Sequence, residues 1–305
     1  MTAAAEQRLR TLQAHWQAAH DKPEETPENT LRALWSAATG SPLSVVAAAG
    51  ATLSELDEAA ERRLDDLIGK RLAGTPLAHL TGRQHFLGLE LLAGPEALIP
   101  RRETELLGQA VIGLARSRDA DGPPGIAVDV CTGSGNLALA LAHHVAGLRV
   151  FGADLSEDAV ALARRNATLL GLADRVEFHA GDLLAPFDTP VFHGAVDLLL
   201  CNPPYISSSK VGAMPEEISA HEPRLAFDGG PLGVSLLARL MQDAVRFVKP
   251  GGWLAFEVGL GQGPAMARRL RNDGAWDDVR ELIDGDGAVR ALLARRADRM
   301  TGDNG

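Results

Sequence analysis

The feature that most constrains this chain is an apolar run, Ile126-Ala127-Val128-Asp129-Val130, that breaks into a glycine turn, Cys131-Thr132-Gly133-Ser134-Gly135-Asn136, and resumes as an Ala/Leu-rich stretch. Such a run reads as a strand buried on both faces, the habit of parallel sheets. Parallel neighbours need a crossover, and the Ala/Leu stretch supplies one as a helix. The pattern recurs downstream. Strands are expected over 149–153, 176–180, 196–201 and 253–258, and helices over 157–170 and 233–247. Lys249-Pro250-Gly251-Gly252 is read as a turn ahead of the last of these strands. The sum is an α/β, doubly wound sheet whose ligands lie at the carboxyl ends of its strands.

Small residues at 131–135 let backbone approach a ligand closely. Asp154 ends the next strand about twenty positions on. From there its carboxylate can accept hydrogen bonds from ribose hydroxyls. Gly133-x-Gly135-x-x-Ala138 also satisfies a loose dinucleotide fingerprint, so the turn alone leaves a nicotinamide dinucleotide and S-adenosylmethionine both open. Gly181-Asp182 ends the third strand, and Asn202-Pro203-Pro204-Tyr205 ends the fourth. Two prolines stiffen that path and remove two backbone donors. The side-chain oxygen of Asn202 and the Pro203 carbonyl could then accept both protons of a planar NH2 group. Tyr205 is the sole tyrosine among thirteen aromatic residues, and its ring could cover an amide or a base.

Ahead of the sheet, apolar residues at helical spacing, Leu56, Ala60, Leu64, Leu67, Ile68 and Leu72, mark a small helical domain, with Ser54 and Asp57 resembling a capping box. Phe86, Leu87, Leu89, Leu91 and Leu92 around Gly88 read as a hairpin, and a helix is expected from Glu103 to Arg118. The expected segments are a helical domain over 1–74, a β-hairpin linker over 75–100, the α/β domain over 101–297 and a flexible tail over 298–305. Forty acidic against thirty basic residues give a charge of −10, the wrong sign for holding nucleic acid by phosphate neutralisation. Cys131 and Cys201 lack metal-ligand spacing. No apolar run reaches 18 residues and the first thirty are polar and charged, so neither a membrane partner nor a secretory leader is expected, and the cytoplasm is the expected location.

These residues resemble the class I S-adenosylmethionine-dependent methyltransferases, and within them the release factor glutamine N5-methyltransferases. Beyond the tetrapeptide, the likeness runs through Gly74-Thr75-Pro76-Leu77-Ala78-His79-Leu80-Thr81-Gly82, Leu98-Ile99-Pro100-Arg101, Glu103-Thr104-Glu105, Glu222-Pro223-Arg224-Leu225-Ala226 and Asp228-Gly229-Gly230. Asp284, Gly287, Arg290 and Arg295 fit the family's final strand. The resemblance implies a Rossmann-like sheet and a helical domain that recognises the substrate. It also implies methyl transfer from S-adenosylmethionine, leaving S-adenosylhomocysteine, to a glutamine amide nitrogen in the Gly-Gly-Gln loop of class 1 peptide-chain release factors. Cofactor contacts carry over onto Asp129, Cys131, Thr132, Gly133, Ser134, Gly135, Asp154, Leu155, Asp182, Leu183 and Asn202. Substrate contacts carry over onto Asn202, Pro203, Pro204 and Tyr205. Cys131 stands where the family usually has glycine and is accommodated if its φ stays negative; Arg102 stands where the family usually has proline. The family's strand order puts Cys131 beside Cys201, as a thiol pair or as two small apolar side chains. No catalytic role is expected for His79, His85, His179, His193 or His221. The alternative activity is N6-adenine methylation of DNA or RNA, which the same tetrapeptide serves.

Overall fold

The computed structural model describes residues 3–16, 22–117, 125–212, 214, 216–230 and 233–298. All but the first residue of the tail expected over 298–305 lies outside them. The chain divides into two compact units, Met1–Arg102 with Met214–Pro223, and Glu103–Ala213 with Arg224–Gly305. Among the described residues no helix is long and apolar enough to cross a membrane.

In the first unit, helices α1 (Ala3–His15), α2 (Pro27–Ala38), α3 (Val45–Ala48), α4 (Glu58–Leu72) and α5 (Leu77–Thr81) precede the hairpin β1 (Arg83–Phe86) and β2 (Leu89–Leu92). Thr26 caps α2 by accepting the Asn29 amide, with Pro27 preset in the first turn. Leu12, Leu31, Leu34, Trp35, Leu64 and Ile68 interlock as its core. Asp57 itself, not a box opened by Ser54, caps α4 through the Ala60 amide at 2.7 Å. The Ser54 carbonyl instead accepts the Trp35 indole N–H at 3.0 Å. Met214–Pro223 joins this unit through buried Glu222, which accepts the Ile99 amide at 2.9 Å and pairs with Arg101.

The second unit opens with α6 (Arg102–Arg116), whose inward stripe carries Thr104 in line with Leu107, Val111 and Ile112. Then come β3 (Gly125–Val130), α7 (Asn136–His144), β4 (Leu148–Asp154), α8 (Glu157–Leu169), β5 (Val176–Ala180) and β6 (Val196–Cys201). After the short α9 (Ser208–Val211), and α10 (Glu216–Ser219) of the first unit, follow α11 (Ser235–Phe247), β7 (Val248–Glu257), α12 (Gly263–Asp273), β8 (Trp276–Ile283) and β9 (Val289–Arg296). The strand order is β5-β4-β3-β6-β7-β9-β8, parallel from β5 to β7, with β9 antiparallel to both β7 and β8. The order reverses between β3 and β6, where an open α/β sheet places its ligand crevice. Val128, Val130, Leu199, Leu254 and Phe256 are buried in the sheet, each worth about 1.5–3 kcal/mol of burial.

Lys249-Pro250-Gly251-Gly252 does not form a separate turn. β7 runs through it from Val248, with Gly251 at φ 74° and a register shift against β6 between Val196 and Leu198. A bulge absorbs the irregularity that the Pro-Gly-Gly sequence suggests is a chain reversal.

Candidate active site

At the end of β3 the chain turns under Asp129, which is 1% exposed. One carboxylate oxygen of Asp129 accepts the Thr132 hydroxyl at 2.6 Å. The Asp154 carboxylate, at the end of β4, accepts the Gly133 amide through one oxygen and the Ser156 amide through the other, both at 2.9 Å. Asn166 ties the Ser134 carbonyl from α8 at 3.0 Å. The turn is therefore held by side chains from two neighbouring segments, so its shape does not depend on a ligand. Burial raises the Asp129 carboxyl to about 7, against the pull of the Thr132 hydroxyl and the Ala138 amide. Burial also raises Asp154, against the Ser156 and Gly133 amides.

Two features bear on whether S-adenosylmethionine fits here. Among the described residues, Asp129 Oδ1 and Ser134 Oγ are buried with no hydrogen-bond partner, and a ligand's cationic or polar end would satisfy them. Each Asp154 oxygen has spent one lone pair on backbone and keeps another for a ribose hydroxyl. The residues fit the cofactor. Gly135 answers to packing instead: at φ 82°, an added Cβ would lie 2.9 Å from Phe178 and 3.1 Å from Ala163.

Cys131 has φ 57°, so the negative φ on which its easy accommodation depended is not met. The β3-to-turn geometry demands the left-handed region, which explains the glycine usual at this place in the resembled family. Cys131 and Cys201 are free thiols close enough to interact, with Val130 paired to Cys201 across β3 and β6. Burial drives the Cys201 thiol well above its usual range. Glycine at 131 should leave stability between that of wild type and about 1.5 kcal/mol above it. Relief of roughly 1–2 kcal/mol of left-handed strain is offset by about 0.5–1 kcal/mol of added unfolded-chain entropy. Urea unfolding measures this; a loss would show that the thiol contact outweighs the strain.

Leu183, following Asp182 at the end of β5, also has positive φ, 49°. Of the three such non-glycine residues described, Leu87, Cys131 and Leu183, two line this end of the sheet, where ligand sites concentrate strain. Leu183 is buried and Leu155 is 57% exposed, an apolar side chain left in the open at the end of β4. Asp182 is engaged on the surface by Arg239 at 2.7 Å.

Asn202 follows β6 directly. Its Nδ2 donates to Thr104 Oγ1 at 3.0 Å, and Thr104 donates to Glu257 Oε2 at 2.7 Å. The Tyr205 hydroxyl donates to the other oxygen, Glu257 Oε1, at 2.9 Å. Glu257 ends β7, the neighbour of β6, and is raised by burial against both hydroxyls. Tyr205 is pushed far above its usual range by burial and by Glu257, so it holds its proton throughout the physiological range. Its ring lies over Gly259, where an added Cβ would meet Cδ2 at 3.0 Å. Gln262 accepts the Gly259 amide at 2.9 Å and donates to the Tyr205 carbonyl at 3.1 Å, closing the loop behind the tetrapeptide.

The sheet thus brings the Cys131–Gly135 turn, Asp154, Asp182 and Asn202 to the carboxyl ends of four adjacent strands. Thr104, Glu257, Gln262 and Arg239 are neighbours that the sequence reading did not assign to the site. Only Thr104 carried a signal, as the polar member of an apolar helical stripe. Among the described residues, no histidine hydrogen-bonds to the tetrapeptide; His193 pairs with Asp188 and His179 with Glu177.

Residues 127–221 match the family described as a methyltransferase domain. The release factor glutamine methyltransferase of Moorella thermoacetica is 40% identical over 244 residues, spanning 79% of this chain and 82% of that protein. The protein of the same name from Bradyrhizobium diazoefficiens is 37% identical over 272 residues, 89% of each. Among solved structures, the hMettl16 catalytic domain in complex with MAT2A 3'UTR hairpin 6 resembles this one with a TM-score of 0.54 and 16% identity. That match covers 77% of this chain and 82% of the other, and speaks to the fold alone. The full-length relatives decide the matter: the chain belongs to the release factor glutamine methyltransferase family.

Proposed function

We propose that this protein transfers a methyl group from S-adenosylmethionine to the side-chain amide nitrogen of a glutamine, with the Gly-Gly-Gln loop of a class 1 peptide-chain release factor as substrate. The observation that carries this reading is the placement of Asn202-Pro203-Pro204-Tyr205 on the strand next to the Asp129 turn, across the switch in strand order. Asp129 and Ser134 would take the polar end of the cofactor, Asp154 its ribose hydroxyls, and Leu155 and Leu183 the flanks of its base. Bound there, S-adenosylmethionine supplies a methyl carbon already activated by its sulfonium.

The difficulty lies with the nucleophile, because an amide nitrogen has its lone pair delocalised into the carbonyl. Asn202 Oδ1 and the Pro203 carbonyl accept its two N–H bonds and so turn the lone pair out of the clamp. Fixed acceptors of this kind strengthen as positive charge develops on nitrogen. Positioning alone contributes up to ~7–11 kcal/mol. Tyr205 keeps its proton and serves as a wall of the clamp. No side chain takes a proton before attack; the proton leaves afterwards.

Incubation with isotopically labelled cofactor and either a release factor or nucleic acid tests the reading. Label is expected on the loop glutamine, and label on adenine would overturn it. A pH effect follows from Asp129. Its folded carboxyl sits near 7 against an ordinary 3.8, so between those values the folded protein keeps a proton that the unfolded chain releases. The contribution of this group to stability therefore falls as pH rises through that window. A cationic ligand needs the ionised form, so cofactor affinity should rise as pH goes from about 6 to about 7.5. Calorimetry across that range should show a proton released on binding, and Asp129→Asn should flatten the profile.

A further inference from the structure

We propose that Thr104 and Glu257 are positioning residues that set which way round the Asn202 amide faces, and hence which of its polar ends meets the substrate. This rests on the clamp described above and adds the reason why the clamp has a fixed sense. An asparagine side chain is nearly symmetric in shape, with an acceptor oxygen at one end and a donor NH2 at the other. Gripping a substrate NH2 requires the oxygen; the reversed amide would set donor against donor. Nothing in Asn202 itself selects between the two.

The selection comes from the far end of a chain of bonds. Glu257 is 2% exposed, and among the described residues it holds no ion pair. As a carboxylate it can only accept, and both of its oxygens are occupied by hydroxyls, Thr104 at 2.7 Å and Tyr205 at 2.9 Å. Thr104, 1% exposed, has one hydroxyl hydrogen and spends it on Glu257. It can therefore offer Asn202 only a lone pair. At 3.0 Å the Asn202 group facing it must be the donor, Nδ2, which leaves Oδ1 directed away from Thr104. The polarity of the chain is set by the one member that cannot donate.

The same carboxylate grips both ends of the tetrapeptide, Asn202 through Thr104 and Tyr205 directly. Burying a carboxylate without an ion pair is costly, and an apolar residue at the end of β7 would avoid that cost. A brace needing only rigidity could be apolar. A brace that must give an amide a direction needs a group that is acceptor only.

The test uses the full chain with Thr104→Val, isosteric without the hydroxyl, and Thr104→Ser, which restores it. Both are measured for cofactor affinity, kcat and KM on a release factor, and for side-chain amide signals of 15N-labelled protein free of cofactor. Thr104→Val is expected to bind cofactor within about twofold of wild type while kcat falls about ten- to a hundredfold. Thr104→Ser should recover most of that loss. The Asn202 NH2 signals should show one hydrogen-bonded proton in wild type and Thr104→Ser, and lose it in Thr104→Val. In an Asn202→Ala background, Thr104→Val should cost little more, because the two act as one unit.

The inference is overturned if Thr104→Val keeps kcat within about twofold of wild type. It is also overturned if valine and serine are equally damaging, or if the losses at 104 and 202 multiply. Should Thr104→Val fail to fold, Glu257→Gln replaces it. An amide there can both donate and accept, so the Asn202 signals should split into two orientations and kcat should drop; a single orientation with unchanged kcat overturns the inference. A wild-type protein that does not label glutamine, or Asn202→Ala at full rate, would instead remove the clamp reading itself.

Discussion

Asn202→Ala is expected to lower kcat by about 10²–10³-fold while leaving cofactor affinity near that of wild type. The side chain offers one thing the backbone around it does not, a carbonyl oxygen at the end of β6 with its companion NH2 already spent on Thr104. Alanine leaves the Pro203 carbonyl as the remaining acceptor, so the substrate nitrogen can rotate and its lone pair loses direction. That loss is felt mainly when charge develops on nitrogen, which is why kcat should move more than KM. Steady-state rates and a cofactor titration on the same preparation separate the two effects. Turnover within about threefold of wild type would mean that the amide clamp does no chemistry.

Asp154→Ala should show the opposite signature, cofactor affinity down about a hundredfold or more and kcat at saturating cofactor little changed. Two losses combine. The carboxylate orders the turn by accepting the Gly133 and Ser156 amides, and in the proposed complex its remaining lone pairs hold the ribose. Asp154→Asn is the sharper probe, because an amide oxygen can keep one of the backbone bonds while its NH2 faces the other donor. Equal affinities for Asn and Ala variants would show that the charge or the second acceptor matters; a marked recovery in Asn would show that turn order dominates. Calorimetric titration with cofactor reads both.

The central sheet was legible because buried parallel strands announce themselves as short apolar runs closed by glycine or by an acid. Ile126 to Val130 and Val196 to Cys201 need nothing from the rest of the chain to be recognised. Helix α1 falls inside the helical domain expected over 1–74 but carries no apolar stripe of its own, because its inward residues, Ala5, Leu9 and Leu12, are few and diluted by charge, so that packing against the core, more than local pattern, makes it a helix. The Pro-Gly-Gly of β7 misled because those residues mark bulges as well as reversals. Cys131 could not be placed in φ from its identity, since side-chain size says nothing about the backbone twist that the preceding strand imposes. Thr104 and Glu257 escaped for a plainer reason. They touch across 153 residues of sequence, and a bond of that span leaves no local periodicity to read. Glu257 lies within the apolar strand expected over 253–258, and only the pairing of β6 with β7 puts it beside the tetrapeptide.

The isolation of Tyr205 has a practical consequence. Because the chain contains one tyrosine and its phenol is tethered to a buried carboxylate, the molecule carries its own spectroscopic reporter at the pocket wall. A ring-selective isotope label, or the ultraviolet Raman doublet of a phenol that donates its proton, would arise from that wall with no background from other phenols. Occupancy of the crevice could be followed in unmodified protein at the point where the proposed clamp would hold its substrate.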